Sequence, residues 1–183
     1  MLVKKLAAAA AAAVVMSTAG FGASAAEIVV NGSTTVLPIV QKALEGYSHE
    51  AGAAAISLSG GGSGNGIKAL IDGLTDVAMS SRDIKTSETN LAKSRGVTPY
   101  RIPVAVDAIV PVVNNANPVK NVTLATLKAI YEGKIRNWKD VGGKNAPIVV
   151  VSRDSSSGTF ETWEELVMKK ARVTPRALLQ ASN

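Results

Sequence analysis

The feature that most constrains the fold is a repeated order of segments: a short apolar run, a loop rich in glycine or hydroxyl residues, and a helical pattern. The apolar runs have the length and the valine or isoleucine content of strands, and they cover residues 27–31, 54–58, 76–79 and 147–151. Apolar residues at helical spacing cover residues 37–47, 67–74, 124–132 and 160–170. Strands that alternate with helices predict an α/β fold built on a parallel sheet.

Two other segments carry expectations for the fold. Residues 101–113 form a long apolar run with Pro103 and Pro111 that is predicted to be a strand region. Residues 173–183 contain Pro175 and show no strand pattern, so we expect the sequence to end without a strand that could pair with a sheet.

The N-terminal segment has the pattern of a secretory signal peptide. Lys4 and Lys5 precede an uncharged run from Leu6, and Ala23-Ser24-Ala25 supplies small residues for cleavage. A membrane anchor is the alternative, but the run is rich in alanine and poor in the large aliphatic residues of a spanning helix. We expect residues 1–25 to be removed near Ala25, and the rest to be a soluble periplasmic protein.

Composition excludes several kinds of site. The sequence has no cysteine and a single histidine, His49, which excludes a thiolate nucleophile and Cys- or His-rich metal centres. The net charge of +6, from 20 basic and 14 acidic residues, is a mild excess without the clustering of a nucleic-acid binder. We therefore expect no metal, no cofactor and no nucleic-acid partner.

Three of the strand-to-helix loops are candidate anion sites: 32–35, 59–66 and 155–159. Each opens a helix, where backbone N–H groups are free and the helix dipole favours negative charge. Such a loop taken alone is more often only a helix cap. Three of them, one closely preceded by Arg153, predict a site for a tetrahedral oxyanion held mostly by neutral donors.

Motifs for nucleotide binding or hydrolysis are weak or missing. The glycine-rich loop lacks the spacing of a dinucleotide fingerprint, and neither a P-loop nor a G-x-S-x-G elbow occurs. The loops offer no positioned base and no pair of carboxylates, so catalysis has little support. A secreted phosphatase or phosphotransferase remains the competing class.

Five segments together resemble the periplasmic phosphate-binding proteins of high-affinity phosphate ABC importers: 31–38, 59–67, 76–82, 131–138 and 152–160. The resemblance implies a two-lobed, type II periplasmic-binding-protein fold that closes over one phosphate ion. It implies a first lobe at 26–105, a second at 106–183, and a strand at 104–113 that crosses between them. It also implies delivery of phosphate to a membrane permease by a protein that is a monomer when complete. Because family members are longer, we expect an N-terminal portion with an incomplete second lobe and return segment. Sulfate or molybdate is the alternative ligand.

The resemblance also implies which residues contact phosphate. They are the hydroxyl, glycine and charged residues of the matching motifs: Ser33, Thr34, Thr35, Ser63, Ser81, Arg82, Arg153, Asp154, Ser157, Gly158 and Thr159. Some family members have an aspartate where this chain has Ser81, and that carboxylate accepts the proton of the ligand. Asp154 is the nearest substitute here, either in that role or as an ion-pair partner that orients Arg153.

Overall fold

The structure is a computed structural model that describes residues 27–183. The predicted signal peptide, 1–25, lies outside these residues. Within them, no helix combines the length and the apolar character that crossing a membrane requires.

The first half of the described chain is a three-stranded parallel sheet with three helices. Strands β1 (Ile28–Gly32), β2 (Ile56–Gly60) and β3 (Val77–Met79) lie in the order β2-β1-β3. Each strand is followed by a helix: α1 (Leu37–Tyr47), α2 (Ser63–Ile71) and α3 (Thr86–Ser94). Because the strands are parallel, the loops that leave their carboxyl ends all lie at one edge of the sheet.

The second half contains a two-stranded parallel sheet, formed by β4 (Val151–Arg153) and β5 (Leu178–Gln180). Helix α4 (Leu124–Tyr131) and a 3₁₀ turn (Trp138–Val141) precede β4. Helix α5 (Gly158–Trp163) follows it and continues as a π-helix over Glu164–Met168. The α/β fold with parallel strands is thus confirmed.

The expectation that residues 173–183 contain no strand is wrong. After the π-helix the chain returns beside β4, and β5 pairs with it in register from Val151 opposite Leu178. Pro175 precedes β5 and is not part of the ladder, so its missing N–H does not prevent the pairing.

The prediction of a crossing strand at 104–113 is also wrong. Residues 97–123 contain neither helix nor strand, and most apolar side chains of 100–113 are exposed. Pro103 and Pro111 lack an N–H for a ladder, and no strand of the described chain lies beside this segment. Only Ile109 is partly buried, against the second core. The predicted lobe boundary between residues 105 and 106 falls inside this segment and stays a prediction.

Two small cores hold the helices that bear the loops. Ile67 and Ile71 of α2 pack on Ala92 of α3. In the second half, Trp163, Val167 and Met168 form a cluster against which Tyr131 packs, with ring centroids of Tyr131 and Trp163 4.7 Å apart. These contacts orient the first turns of α2 and α5 toward the same place.

Candidate anion-binding site

The loop after β1 places three hydroxyls at the sheet edge. Gly32 has φ of +139° and packs so closely on the Met79 carbonyl that a Cβ would overlap it. This bend buries Ser33, whose N–H donates to Met79 O at 2.8 Å. Ser33 Oγ accepts from the N–H of Thr35 and of Val36, at 3.2 and 3.3 Å, so it caps the turn before α1.

The loop after β2 contributes Ser63, the first residue of α2. Its side chain is completely buried, and its Oγ lies 3.2 Å from Ser81 Oγ and accepts from the Ser81 N–H at 3.1 Å. Ser81 follows β3, so this hydrogen-bonded pair joins the carboxyl ends of two strands. The sequence motifs placed both serines in the site, and the structure brings them together.

The loop after β4 meets the first two loops from the other half of the chain. Ser157 is buried and caps α5, accepting from the Phe160 N–H at 3.3 Å. Gly158 lies against Ser63 and Ser81: a Cβ on it would be 2.6 Å from Ser81 Oγ and closer still to Ser63 Oγ. Thr159 Oγ1 is 3.3 Å from Thr35 Oγ1. Hydroxyls from the loops after β1, β2, β3 and β4 therefore lie in one cluster.

Arg153 is the cation that reaches this cluster. It ends β4 and is 8% exposed. Its Nη2 donates to Thr34 Oγ1 at 3.1 Å, a contact between residues 119 positions apart. Its other hydrogen bonds go to the segment at β5: Nε to Gln180 O, Nη2 to Ala181 O, each at 3.0 Å, and Nη1 to Asn183 Oδ1.

The carboxylate of Asp154 is hydrogen-bonded to Ser156. Asp154 Oδ1 accepts from the Ser156 N–H at 2.8 Å and from the Ser156 hydroxyl. Burial opposes ionisation of this carboxyl, but the Ser156 hydrogen bonds and the positive charge of Arg153 outweigh it, so the pKa of Asp154 lies below its ordinary value. In this structure Asp154 shapes the third loop, and it makes no ion pair with Arg153 within residues 27–183.

Arg82 is the predicted site residue that the structure does not bring into the cluster. Its guanidinium is paired with both carboxylate oxygens of Glu88, at 2.8 and 2.9 Å, and with Glu161 at 2.9 Å. Glu88 lies on α3 and Glu161 on α5, so Arg82 ties the two halves of the chain together. With its charge balanced in this way, Arg82 is a poor competitor for a ligand anion.

Asn183 is the residue of this cluster that the sequence analysis missed. Its Nδ2 donates to Thr35 Oγ1 at 2.6 Å, and its Oδ1 accepts from Arg153. No motif marks Asn183, because it reaches the site only through the pairing of β5 with β4. The signal that could have found it is a strand prediction for 178–180.

The side chains that converge in the described part of the chain are mainly hydrogen-bond donors. The cluster offers neutral O–H and N–H donors and the single guanidinium of Arg153, which suits an oxyanion that is held without covalent chemistry. No group of three or more His, Cys, Asp or Glu side chains that could hold a metal occurs in the described part of the chain. His49 is exposed beyond the end of α1, away from these loops.

Comparison with known proteins identifies the family. The family model of the PBP superfamily domain matches residues 17–181. The chain belongs to the PBP superfamily. The resemblance expected from the motifs is thus confirmed, and the two parallel sheets are part of a PBP-superfamily α/β fold.

Relatives of the chain include proteins named as phosphate-binding proteins. The chain is 39% identical over 142 residues to the phosphate-binding protein PstS of Staphylococcus epidermidis, a match that covers 76% of this chain and 44% of that protein. It is 32% identical over 154 residues to protein SphX of Synechococcus elongatus, covering 81% of this chain and 46% of SphX. The chain spans about half the length of these relatives.

Solved structures give the same family. The chain is 35% identical, with a TM-score of 0.76, to a substrate-binding protein assigned to a phosphate ABC transporter of Clostridium perfringens, solved with bound phosphate; the match covers 86% of this chain and 63% of that one. An ABC-type phosphate transport receptor of Vibrio cholerae is 33% identical, with a TM-score of 0.60, and the match covers 86% and 64%.

Proposed function

We propose that this chain binds inorganic phosphate in the periplasm and delivers it to the membrane permease of a phosphate ABC importer. The observation that carries the proposal is the convergence of Arg153 with the hydroxyls of Thr34, Thr35, Ser63 and Thr159 in one cluster. The names of the PstS relatives and the phosphate in the Clostridium structure support the same ligand.

The proposed binding is non-covalent. A phosphate ion that enters the cluster exchanges its hydration shell for hydrogen bonds from hydroxyls, from backbone N–H groups of the loops and from Arg153. Hydrogen bonds in which donor or acceptor is charged are roughly twice as strong as neutral ones, so Arg153 should contribute the largest single share. Ser33 and Ser157 support the loops, because their oxygens are already used as helix caps.

We infer that the chain is a binding protein and not an enzyme. A phosphatase would need a nucleophile with a base or a metal beside it. In the described cluster the serines contact one another and backbone amides, and Asp154 is turned to Ser156. Turnover of p-nitrophenyl phosphate that depends on Ser63 or Ser157 would contradict this inference.

The experiment that tests phosphate binding is calorimetric titration of the chain with phosphate, sulfate and molybdate, alone and in competition. We expect phosphate to bind most tightly. Arg153→Ala should weaken phosphate binding by about one to two orders of magnitude, because a hydrogen bond to a charged group contributes roughly 1.5–3 kcal/mol. Arg153→Lys keeps the positive charge without the forked geometry of the guanidinium, so its phosphate affinity should lie between that of wild type and that of Arg153→Ala.

The matched control is Arg172→Ala, which removes an exposed arginine of the second half that lies outside the cluster. It should leave phosphate affinity unchanged. Equal loss in both variants would mean that Arg153 acts only through the net charge of the protein. Tighter binding of sulfate or molybdate than of phosphate would transfer the proposal to that anion.

A further inference from the structure

The side chain of Asn183 contacts Arg153 and the hydroxyl cluster. Its amide lies between the guanidinium, on the second half of the chain, and Thr35 Oγ1, on the first. Thr35 Oγ1 in turn lies 3.3 Å from Thr159 Oγ1. Asn183 is exposed, so this amide is open to a ligand that approaches the hydroxyls.

The orientation of the amide follows from the chemistry of arginine. A guanidinium has five N–H donors and no acceptor, so the Asn183 amide must turn its oxygen to Arg153. Its NH₂ group then faces the hydroxyl cluster, where one N–H donates to Thr35. The second N–H has no partner within residues 27–183.

The same contact restricts Arg153. Three of its four hydrogen bonds go to Gln180, Ala181 and Asn183, and the fourth goes to Thr34. The segment at the end of β5 therefore accepts hydrogen bonds from Nε, Nη1 and Nη2 of Arg153. One of the five N–H groups has no partner within residues 27–183, and it is on Nη1, the nitrogen that contacts the Asn183 amide. Any anion that accepts from this N–H would also meet the amide.

We propose that Asn183 is an anion-binding and specificity-determining residue of this site, which orients Arg153 through Oδ1 and donates an N–H to the bound oxyanion through Nδ2. The proposal rests on the proposed function, in that the anion is phosphate. A neutral amide N–H can donate a hydrogen bond to a protonated oxyanion and to a fully ionised one alike. Asn183 therefore makes the site less able to reject sulfate than a carboxylate at the same position would be.

The test is the ratio of sulfate to phosphate dissociation constants, measured by calorimetry near pH 6 for wild type, Asn183→Asp and Asn183→Ala. In Asn183→Asp a carboxylate replaces the donor. Phosphate keeps a proton that it can donate to this carboxylate, whereas sulfate has none and is repelled. We expect the ratio to rise by roughly tenfold or more, the effect of one hydrogen bond to a charged group.

A purely structural role predicts a different result. A carboxylate that only neutralised Arg153 would weaken the binding of phosphate and of sulfate by the same factor, and the ratio of their dissociation constants would not change. Asn183→Ala should weaken the binding of both anions by about tenfold, since it removes the N–H donor and the oxygen that orients Arg153. An unchanged ratio in Asn183→Asp, or unchanged or tighter binding in Asn183→Ala, would overturn the proposal.

The control variant is Ser182→Asp, which adds the same charge one residue away. Ser182 is exposed, and its hydroxyl contacts only the backbone oxygen of Asn183. The ratio of sulfate to phosphate dissociation constants in Ser182→Asp should equal that of wild type. A wild-type chain that binds neither anion overturns the proposed function together with this one, whereas phosphate binding that is lost in Arg153→Ala but insensitive to Asn183 overturns this proposal alone.

Discussion

Single residues set how closely the loops approach one another, and Gly158 is a position where the third loop lies directly against the serines of the other loops. A Cβ at residue 158 would lie 2.6 Å from Ser81 Oγ, and the neighbouring Ser63 side chain is completely buried. We expect Gly158→Ala to push the third loop away from the first two and to weaken phosphate binding by at least about tenfold, the equivalent of about 1.4 kcal/mol. Calorimetry measures the affinity, and circular dichroism checks that the variant folds.

A matched glycine shows whether the effect belongs to the site. Gly46 lies within α1, and a Cβ there would meet no atom within 4 Å. Gly46→Ala should stabilise the helix by roughly 0.5–1 kcal/mol and leave the affinity unchanged. Wild-type affinity in Gly158→Ala would mean that the loops can separate without cost to the site.

At the scale of elements, helices α3 and α5 are joined through Arg82. Its guanidinium pairs with Glu88 of α3 and Glu161 of α5, and its side chain is only 7% exposed. Removing one partner of a buried pair leaves the other charges uncompensated, at a cost of about 3–5 kcal/mol for full burial. Since Glu88 is 22% exposed, we expect Arg82→Ala to lower the free energy of unfolding by somewhat less, about 2–3 kcal/mol.

This pairing should make stability depend on acid pH. Burial tends to raise the pKa of Glu88, but its hydrogen bonds from Arg82 and Lys85 lower it below the ordinary value of 4.5. A carboxyl whose pKa is lower in the folded state stabilises above the unfolded value and loses that contribution as pH falls through the folded value. Urea unfolding should therefore show stability falling from about pH 4.5 downward, and falling less in Glu88→Gln.

The control for acid sensitivity is Glu45→Gln, because Glu45 forms an exposed pair with Lys42 on α1. Exposed pairs contribute about 0–1 kcal/mol, so the pH profile of Glu45→Gln should follow that of wild type. A Glu88→Gln profile that coincides with wild type would show that Arg82 and Glu88 are not coupled to folding.

At the scale of the whole molecule, the segment 100–113 between the two halves of the sequence exposes many apolar side chains. Its valines at 104, 106, 110 and 112 are at least 65% exposed. Contiguous exposed apolar surface promotes association. We expect the chain to associate at high concentration, as measured by sedimentation velocity, and the double variant Val106→Lys, Val112→Lys to associate less.

Added charge alone could also reduce association, so the control carries the same charge elsewhere. Thr98→Lys with Asn115→Lys adds two lysines at exposed polar positions on either side of the segment. This control should associate as wild type does. Equal suppression by both double variants would assign the effect to net charge and not to the apolar segment.

Sequence patterns predicted the parts of the fold that depend on neighbouring residues. Helix α1 and the loop with Ser33 follow from local spacing, and the convergence of Ser63 with Ser81 follows from the shared edge of parallel strands. The pairing of Arg82 with Glu161 was not predictable, because no local pattern states which distant carboxylate a cation meets.

The two errors in strand prediction have one physical cause. A strand requires a partner, and an apolar run indicates only that burial is favourable. Residues 101–113 have the apolar character but no neighbouring strand within the described chain, whereas Leu178–Gln180 is short but lies beside β4. Asn183 was missed for the same reason, since β5 carries it to the site.

The separation of the site residues along the sequence has a consequence for folding kinetics. Ser63 and Ser81 are 18 residues apart, but Thr35 meets Thr159 across 124 residues and Asn183 across 148. Contacts of high sequence separation close large loops and form slowly, whereas adjacent strand–helix units form early. During refolding, backbone structure should appear before the ability to capture a ligand. Ligand capture would then report the docking of the two halves, the last step, and not the formation of either sheet.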